Sequence, residues 1–170
     1  MKAKRDLGGR LGVSQTPGDR EYQEDDFGVI DGLSSDAGAR NHVVLVLADG
    51  MGGHAGGDVA SRTVVRGFIE AYQDYSITKT RAGALEEALH SANRALAQGK
   101  DESPELDGMG ATLVAVAFEG HELVWISVGD SPLWIFGEAG LKRLNQDHSV
   151  GGVLKDLVEL GKISQEEADA

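Results

Sequence analysis

Residues 43–48 form an unbroken apolar run, Val43 to Ala48, made almost entirely of Val and Leu. Such a run, closed by Asp49-Gly50, predicts a buried strand. A shorter apolar piece, Phe27 to Ile30, lies before it, behind a Pro17-Gly18-Asp19 turn and an acidic knot at Glu21 to Asp26. Residues 31–41 between the two read as a loop. From Asp58 to about Tyr75 the period changes. Ala60, Val64, Phe68 and Ala71/Tyr72 recur at helical spacing, with Asp58 at the end that favours an acid. Leu85, Ala88, Leu89, Ala92 and Leu96 mark a second amphipathic helix, for which Gly99 is the expected stop. Residues 100–110 read as a polar loop. Four β-rich runs follow, at 112–118, 121–128, 133–136 and 141–144, separated by turn residues. That spacing predicts an antiparallel meander. Val153 to Leu160 reads as a helix ended by Gly161. Ser164-x-x-Glu167 then matches a capping box, with little chain after it to sustain an isolated helix.

Composition narrows the function. The 170 residues hold 16 Lys+Arg and 28 Asp+Glu, a formal charge of −12. That balance speaks against coating a nucleic acid or docking on an anionic membrane, and suits collecting cations. The absence of Cys excludes disulfides, thiolate metal sites and a thiol nucleophile. The basic start, MKAKRDLGGRLG, has no apolar core of a signal peptide, and no run is long enough to span a membrane. A cytoplasmic setting is expected. Gly is unusually frequent, 24 of 170 residues, about twice ordinary usage, and much of the excess sits in one segment.

That segment follows Asp49. The strand delivers a carboxylate to the chain's first exit from the core. Gly50, Gly52, Gly53, Gly56 and Gly57 then leave the backbone bare, so carbonyls can approach a hard cation. His54 lies inside the loop and can move a proton near neutral pH. Three readings stand: a glycine-rich hairpin turn, a dinucleotide loop of the G-x-G-x-x-A type, and a metal site. Against the second, Glu70 falls within a helical pattern, and the later strands read as hairpins. The acidic knot bears on the third. Arg20 stands beside Gln23-Glu24-Asp25-Asp26. Strand alternation would turn Glu24 and Asp26 one way and Asp25 the other. Arg20 could pair bidentately with a phosphate or with a neighbouring acid.

Five blocks then occur in a telling order: REYQED (20–25), VLADGMGGHAGGDVAS (46–61), GMGATL (108–113), VGDS (128–131) and NQDHS (145–149). In these the chain, from about residue 8 onward, resembles the metal-dependent protein phosphatases, the type 2C serine/threonine phosphatases, in a form similar to the bacterial branch. The resemblance implies an α+β fold, an antiparallel β-sandwich flanked by helices with metals in a cleft at one end. It implies hydrolysis of protein phosphoserine and phosphothreonine by a metal-activated hydroxide, with two Mn²⁺ or Mg²⁺ and a third, weaker site. By the same resemblance Asp49 bridges the metals and the Gly50 carbonyl completes a shell. Glu24 and Asp25 hold metal-bound waters, and Asp130 serves the third site. Arg20 clamps the substrate phosphate, and His54 is the acid for the leaving alkoxide. The partner is a phosphorylated protein, the product of a Ser/Thr kinase, with no nucleic acid and no membrane insertion.

Departures accompany the likeness. Gln23 stands where Asn is usual, Ala111 where Thr is common, and Pro132 where an Arg follows Gly-Asp-Ser. The family's second Asp-Gly and its terminal Asp-Asn, each a source of a metal acid, have no counterpart after Asp147. The resemblance therefore implies that residues 1–170 are a single, C-terminally incomplete catalytic domain, weak or inactive by itself. A non-catalytic phosphoprotein-binding or regulatory half-domain is the alternative. Asp147-His148-Ser149 reads as a structural turn, because adjacent residues cannot face one another as a triad does. Trp125 and Trp134 read as core or sheet-face residues, and His121 and Glu122 as surface.

Overall fold

The computed structural model describes residues 11–31, 42–52, 56–119 and 122–168. The predicted strands form in order. Strand β1 (Asp25–Asp31) pairs antiparallel with β2 (His42–Met51), and β2 pairs on its other side with β4 (Leu113–Glu119). Strand β5 (Glu122–Val128) completes the path β1-β2-β4-β5, and the two-residue β3 (Gly110–Ala111) pairs with the end of β2. Strands β6 (Trp134–Gly137) and β7 (Gly140–Arg143) form a separate two-stranded sheet. Antiparallel sheets and helices give the α+β class read from the sequence.

Helices α1 (Gly56–Tyr75) and α2 (Arg81–Glu102) cover one face of the larger sheet. The apolar stripe of α1 explains its seat. Ala60, Val64, Phe68 and Tyr72 are buried, and the Phe68 and Tyr72 rings stack one turn apart, with centroids 6.3 Å from each other. They meet Val44, Val46, Ala48, Leu113, Ala115 and Ala117 from the sheet, and Ala84, Leu85, Ala88 and Ala92 from α2. The small residues of α2 let it lie close to α1. The other sheet face carries Leu45, Leu47, Val114, Val116, Phe118 and Trp125, so β4 is apolar on both sides, and Leu47, Phe118 and Trp125 on that second face are exposed. Trp125 therefore sits on a sheet face, as its pattern indicated.

Helix α2 runs past its expected stop. Gly99 lies inside it, and the C-cap is Ser103, whose N–H reaches the Gly99 carbonyl. Here glycine serves contact: a Cβ at residue 99 would lie 3.0 Å from the Met109 methyl. At the other end Thr80 caps the helix, accepting from the Gly83 N–H at 3.2 Å. Thr80→Ala is expected to cost about 1 kcal/mol, read as a shift of the urea midpoint with unchanged slope.

Helix α3 (Val150–Glu159) replaces the shorter helix expected from Val153, and α4 (Gln165–Ala168) follows the capping box. Both halves of that box form: Ser164 N–H donates to Glu167 Oε2 at 2.8 Å, and Glu167 N–H to Ser164 Oγ at 3.2 Å. Among the described residues no helix is long and apolar enough to cross a membrane.

Candidate active site

The corner where β2 leaves the core gathers most of the acids singled out above. Register does it. Strands β1 and β2 place Asp25 opposite Asp49. Asp49 spends its main-chain N–H and C=O on Thr112 of the other neighbour. Its pairing with Asp25 is thus the non-hydrogen-bonded kind, in which facing side chains come closest. The two carboxyl groups are near enough to share a hydrogen bond.

The remaining residues arrive from three directions. Glu24, just before β1, continues the ladder by one bond. Its carbonyl accepts the Gly50 N–H at 3.1 Å, and its carboxylate accepts from Arg20 Nη1, also at 3.1 Å. The Glu24 carboxylate also lies against Gly57 at the start of α1, where a Cβ would stand 2.6 Å from Oε1. Asp130 comes from the turn after β5 and is close enough to act on the charge of Asp49. Gln23 reaches Asp25 Oδ2 at 3.4 Å, a weak contact, and Gln15 donates to the Asp25 carbonyl at 3.1 Å. Asp26 faces the opposite way. It lines a shallow hollow of about 360 Å³ with Val59, Arg62, Thr63 and Arg66 of α1. Alternation thus holds for Asp25 and Asp26, and the Glu24 carboxylate lies against the start of α1, the helix that Asp26 also faces. His54 lies outside the described residues.

The electrostatics express crowding. Loss of hydration pushes the Asp49 carboxyl above its ordinary range. The charges of Asp25 and Asp130 raise it further, and Arg20 opposes the rise. A cation bound beside Asp49 would relieve that crowding. The donor set is hard oxygen: carboxylates of Asp49, Asp25 and Glu24, and the bare Gly50 carbonyl, which suits Mg²⁺ or Mn²⁺. Among the described residues no three acids or histidines come close enough to hold one ion unaided. By themselves these described acids complete no cation shell.

Three residues not singled out in the sequence build the frame. Buried Thr112 bonds Asp49 and Ser131. Buried Asn145 brackets Pro132, donating to the Ser131 carbonyl at 2.9 Å and accepting from the Leu133 N–H at 2.7 Å. Arg143 adds a bond to the Asp130 carbonyl at 3.2 Å, so a guanidinium borders this turn although residue 132 is Pro. Only the blocks GMGATL and NQDHS hinted at these roles. The trio Asp147-His148-Ser149 is a turn, as read. Ser149 donates to Asp147 through its N–H at 2.8 Å, which holds that carboxyl below its ordinary range, and Ser149 Oγ caps α3 at Gly152.

Comparisons with known proteins identify the family. A family model described as Protein phosphatase 2C matches residues 22–153. The serine/threonine phosphatase Stp of Listeria monocytogenes is 32% identical over 152 residues, 88% of this chain and 57% of that protein. The phosphatase PstP of Mycobacterium tuberculosis is 37% identical over 132 residues, 78% of this chain and 24% of that protein. The chain thus spans a little over half of one relative and a quarter of the other. Among solved structures, the PstP catalytic domain in complex with two manganese ions superposes with a TM-score of 0.63 at 34% identity, covering 88% of this chain and 58% of that one. Stp1 of Staphylococcus aureus gives 0.72 at 28% identity, covering 91% and 58%.

Proposed function

We propose, for a chain that belongs to the protein phosphatase 2C family, that it furnishes the metal and phosphate side of a serine/threonine phosphatase site. The observation that carries this is the in-register Asp25–Asp49 pair, with Asp130 and Arg20 acting on its charge. The relatives supply the reaction class, and the PstP complex supplies Mn²⁺ as the model cation.

Asp49 and the Gly50 carbonyl would hold the cations directly, and Glu24, Asp25 and Asp130 would hold them through water. Cations bound there shield the phosphate charge and lower the pKa of water. The chain's own residues do the rest. Arg20 takes the phosphate oxygens. Its present partner, Glu24, is a poor competitor, because the Arg20 side chain is 73% exposed and such surface pairs are worth only about 0–1 kcal/mol. His54 gives its proton to the oxygen of the departing Ser or Thr. Loss of Arg20 should raise KM more than it lowers kcat.

Substrates in this reading are cytoplasmic proteins phosphorylated by a Ser/Thr kinase. The 170 residues by themselves turn over slowly, because the described acids complete no cation shell. The test is phosphate release from a phosphothreonine peptide and from its phosphotyrosine counterpart, with Mn²⁺. Slow, Mn²⁺-dependent release from phosphothreonine, lost in Asp49→Asn, is expected. Fast release lost in Asp49→Asn would overturn the slow-turnover part alone. No release, with Arg20-dependent and Mn²⁺-independent capture of the phosphopeptide, would favour a phosphoprotein-binding module instead.

A further inference from the structure

The ladder between β2 and the strand beside it has a substitution at its most sensitive rung. The register that pairs Leu47 with Val114 and Gly50 with Ala111 places Asp49 opposite Thr112. Thr112 donates its main-chain N–H to the Asp49 carbonyl at 2.9 Å, as a strand residue should. The return bond is different. The Asp49 N–H donates at 3.0 Å to the Thr112 hydroxyl, a side-chain oxygen standing in for the main-chain one. The strand is interrupted at this residue, with β3 ending at Ala111 and β4 starting at Leu113.

The same hydroxyl reaches a second element. Thr112 Oγ1 lies 2.7 Å from Ser131 Oγ, in the turn that carries Asp130. With one lone pair taken by the Asp49 N–H, its proton is free to point at Ser131. Thr112 is buried, 6% exposed, so water does not replace either contact. Gly129 makes the approach feasible. Its φ is +93°, and a Cβ there would stand 2.7 Å from Thr112 Cγ2. The turn is held from its far side by Asn145 and Arg143.

We propose that Thr112 is a positioning residue whose hydroxyl fixes the spacing between Asp49 and Asp130, the first beside it on the ladder and the second through Ser131. It touches neither substrate nor cation. This rests on the metal-site reading above for its consequence, though not for its geometry.

Three variants test it, the third being the rescue Thr112→Ser. Thr112→Val keeps the shape and loses the hydroxyl, and Ser131→Ala breaks the link from the solvent side. Amide hydrogen exchange of the whole chain is the first readout. Thr112→Val should speed exchange at Asp49 at least tenfold and shift the Asp130 and Ser131 amide resonances, while Val46 and Ala115 stay protected. Thr112→Ser should restore both. Ser131→Ala should move the Asp130 and Ser131 resonances and leave Asp49 protected. The second readout is Mn²⁺ binding by calorimetry, expected to weaken at least tenfold in Thr112→Val and to recover in Thr112→Ser. Unchanged exchange at Asp49, or failure of Thr112→Ser to restore it, overturns the proposal, as does unaltered Mn²⁺ affinity in Thr112→Val. If the unmutated chain takes up no Mn²⁺, the metal reading falls, and the exchange arm still decides the role of Thr112.

Discussion

Asp49→Asn is expected to raise the melting temperature of the metal-free chain at pH 7 while abolishing its response to Mn²⁺. The sign follows from the carboxyl's surroundings. Dehydration and the charges of Asp25 and Asp130 lift the folded-state pKa of Asp49 above its ordinary 3.8. A raised carboxyl stabilises the fold below its unfolded pKa, where it is protonated in both states. That contribution is lost as pH rises through the folded pKa. At neutral pH the ionised group strains the corner, and a neutral amide of the same shape does not. Asp49 is exposed, so solvent screens these charges, and a small rise is expected. The gap between variant and parent should close as pH is lowered towards 4. Asp147 works in the opposite sense, its carboxyl held down by Ser149, so its contribution fades as pH falls. Comparing variant and parent at each pH cancels it. With Mn²⁺ the order should reverse. A ligand at a hundred times its Kd adds about 2.7 kcal/mol, and only the parent can gain it. A lower melting point for metal-free Asp49→Asn would contradict the crowded-carboxylate account.

Gly50→Ala should be among the most damaging single substitutions in this region. A Cβ at residue 50 would lie 1.9 Å from the Gly57 carbonyl oxygen and 2.8 Å from that of Glu24. Both obstacles are backbone, one at the start of α1 and the other at the entry to β1, so neither can rotate away. Overpacking of this kind costs about 3 kcal/mol, or roughly 6–12 °C in melting temperature. Gly57→Ala makes a useful contrast. Its Cβ would meet the Glu24 carboxylate at 2.6 Å, the far end of a side chain that can swing, and its one backbone obstacle, the Gly50 carbonyl oxygen, stands at 2.9 Å rather than 1.9 Å. A smaller loss of stability is expected there, together with displacement of Glu24 from the corner. Equal losses in the two variants, measured by urea titration, would contradict the backbone-contact explanation.

What could be read in advance was local. The apolar run ending at Asp49 and the helical spacing of Ala60, Val64 and Phe68 record one element's own burial, so periodicity reveals them. The capping box at Ser164 is equally local. Gly99 misled because a glycine near a helix end resembles a stop, whereas here its missing Cβ accommodates Met109 from the segment that follows the helix. The acids at 24–25 and 49 could be listed, but their meeting depends on strand register. Alternation set Glu24 against Asp25, and the structure keeps them apart, with Glu24 against the start of α1 and Asp25 beside Asp49. Thr112 and Asn145 were the hardest to see. Each replaces a main-chain partner with a side-chain one, and nothing in residue order announces such an exchange.

In this reading the β1–β2 corner receives divalent cations. The most direct test is a titration of the isotopically labelled chain with small amounts of Mn²⁺, following amide signals one by one. Paramagnetic broadening should appear first at Glu24, Asp25, Asp49, Gly50 and the 129–131 turn, and vanish from these positions in Asp49→Asn. Broadening centred on another acidic surface, such as Glu86 and Glu87 of α2, or persisting at the corner in Asp49→Asn, would contradict the claim.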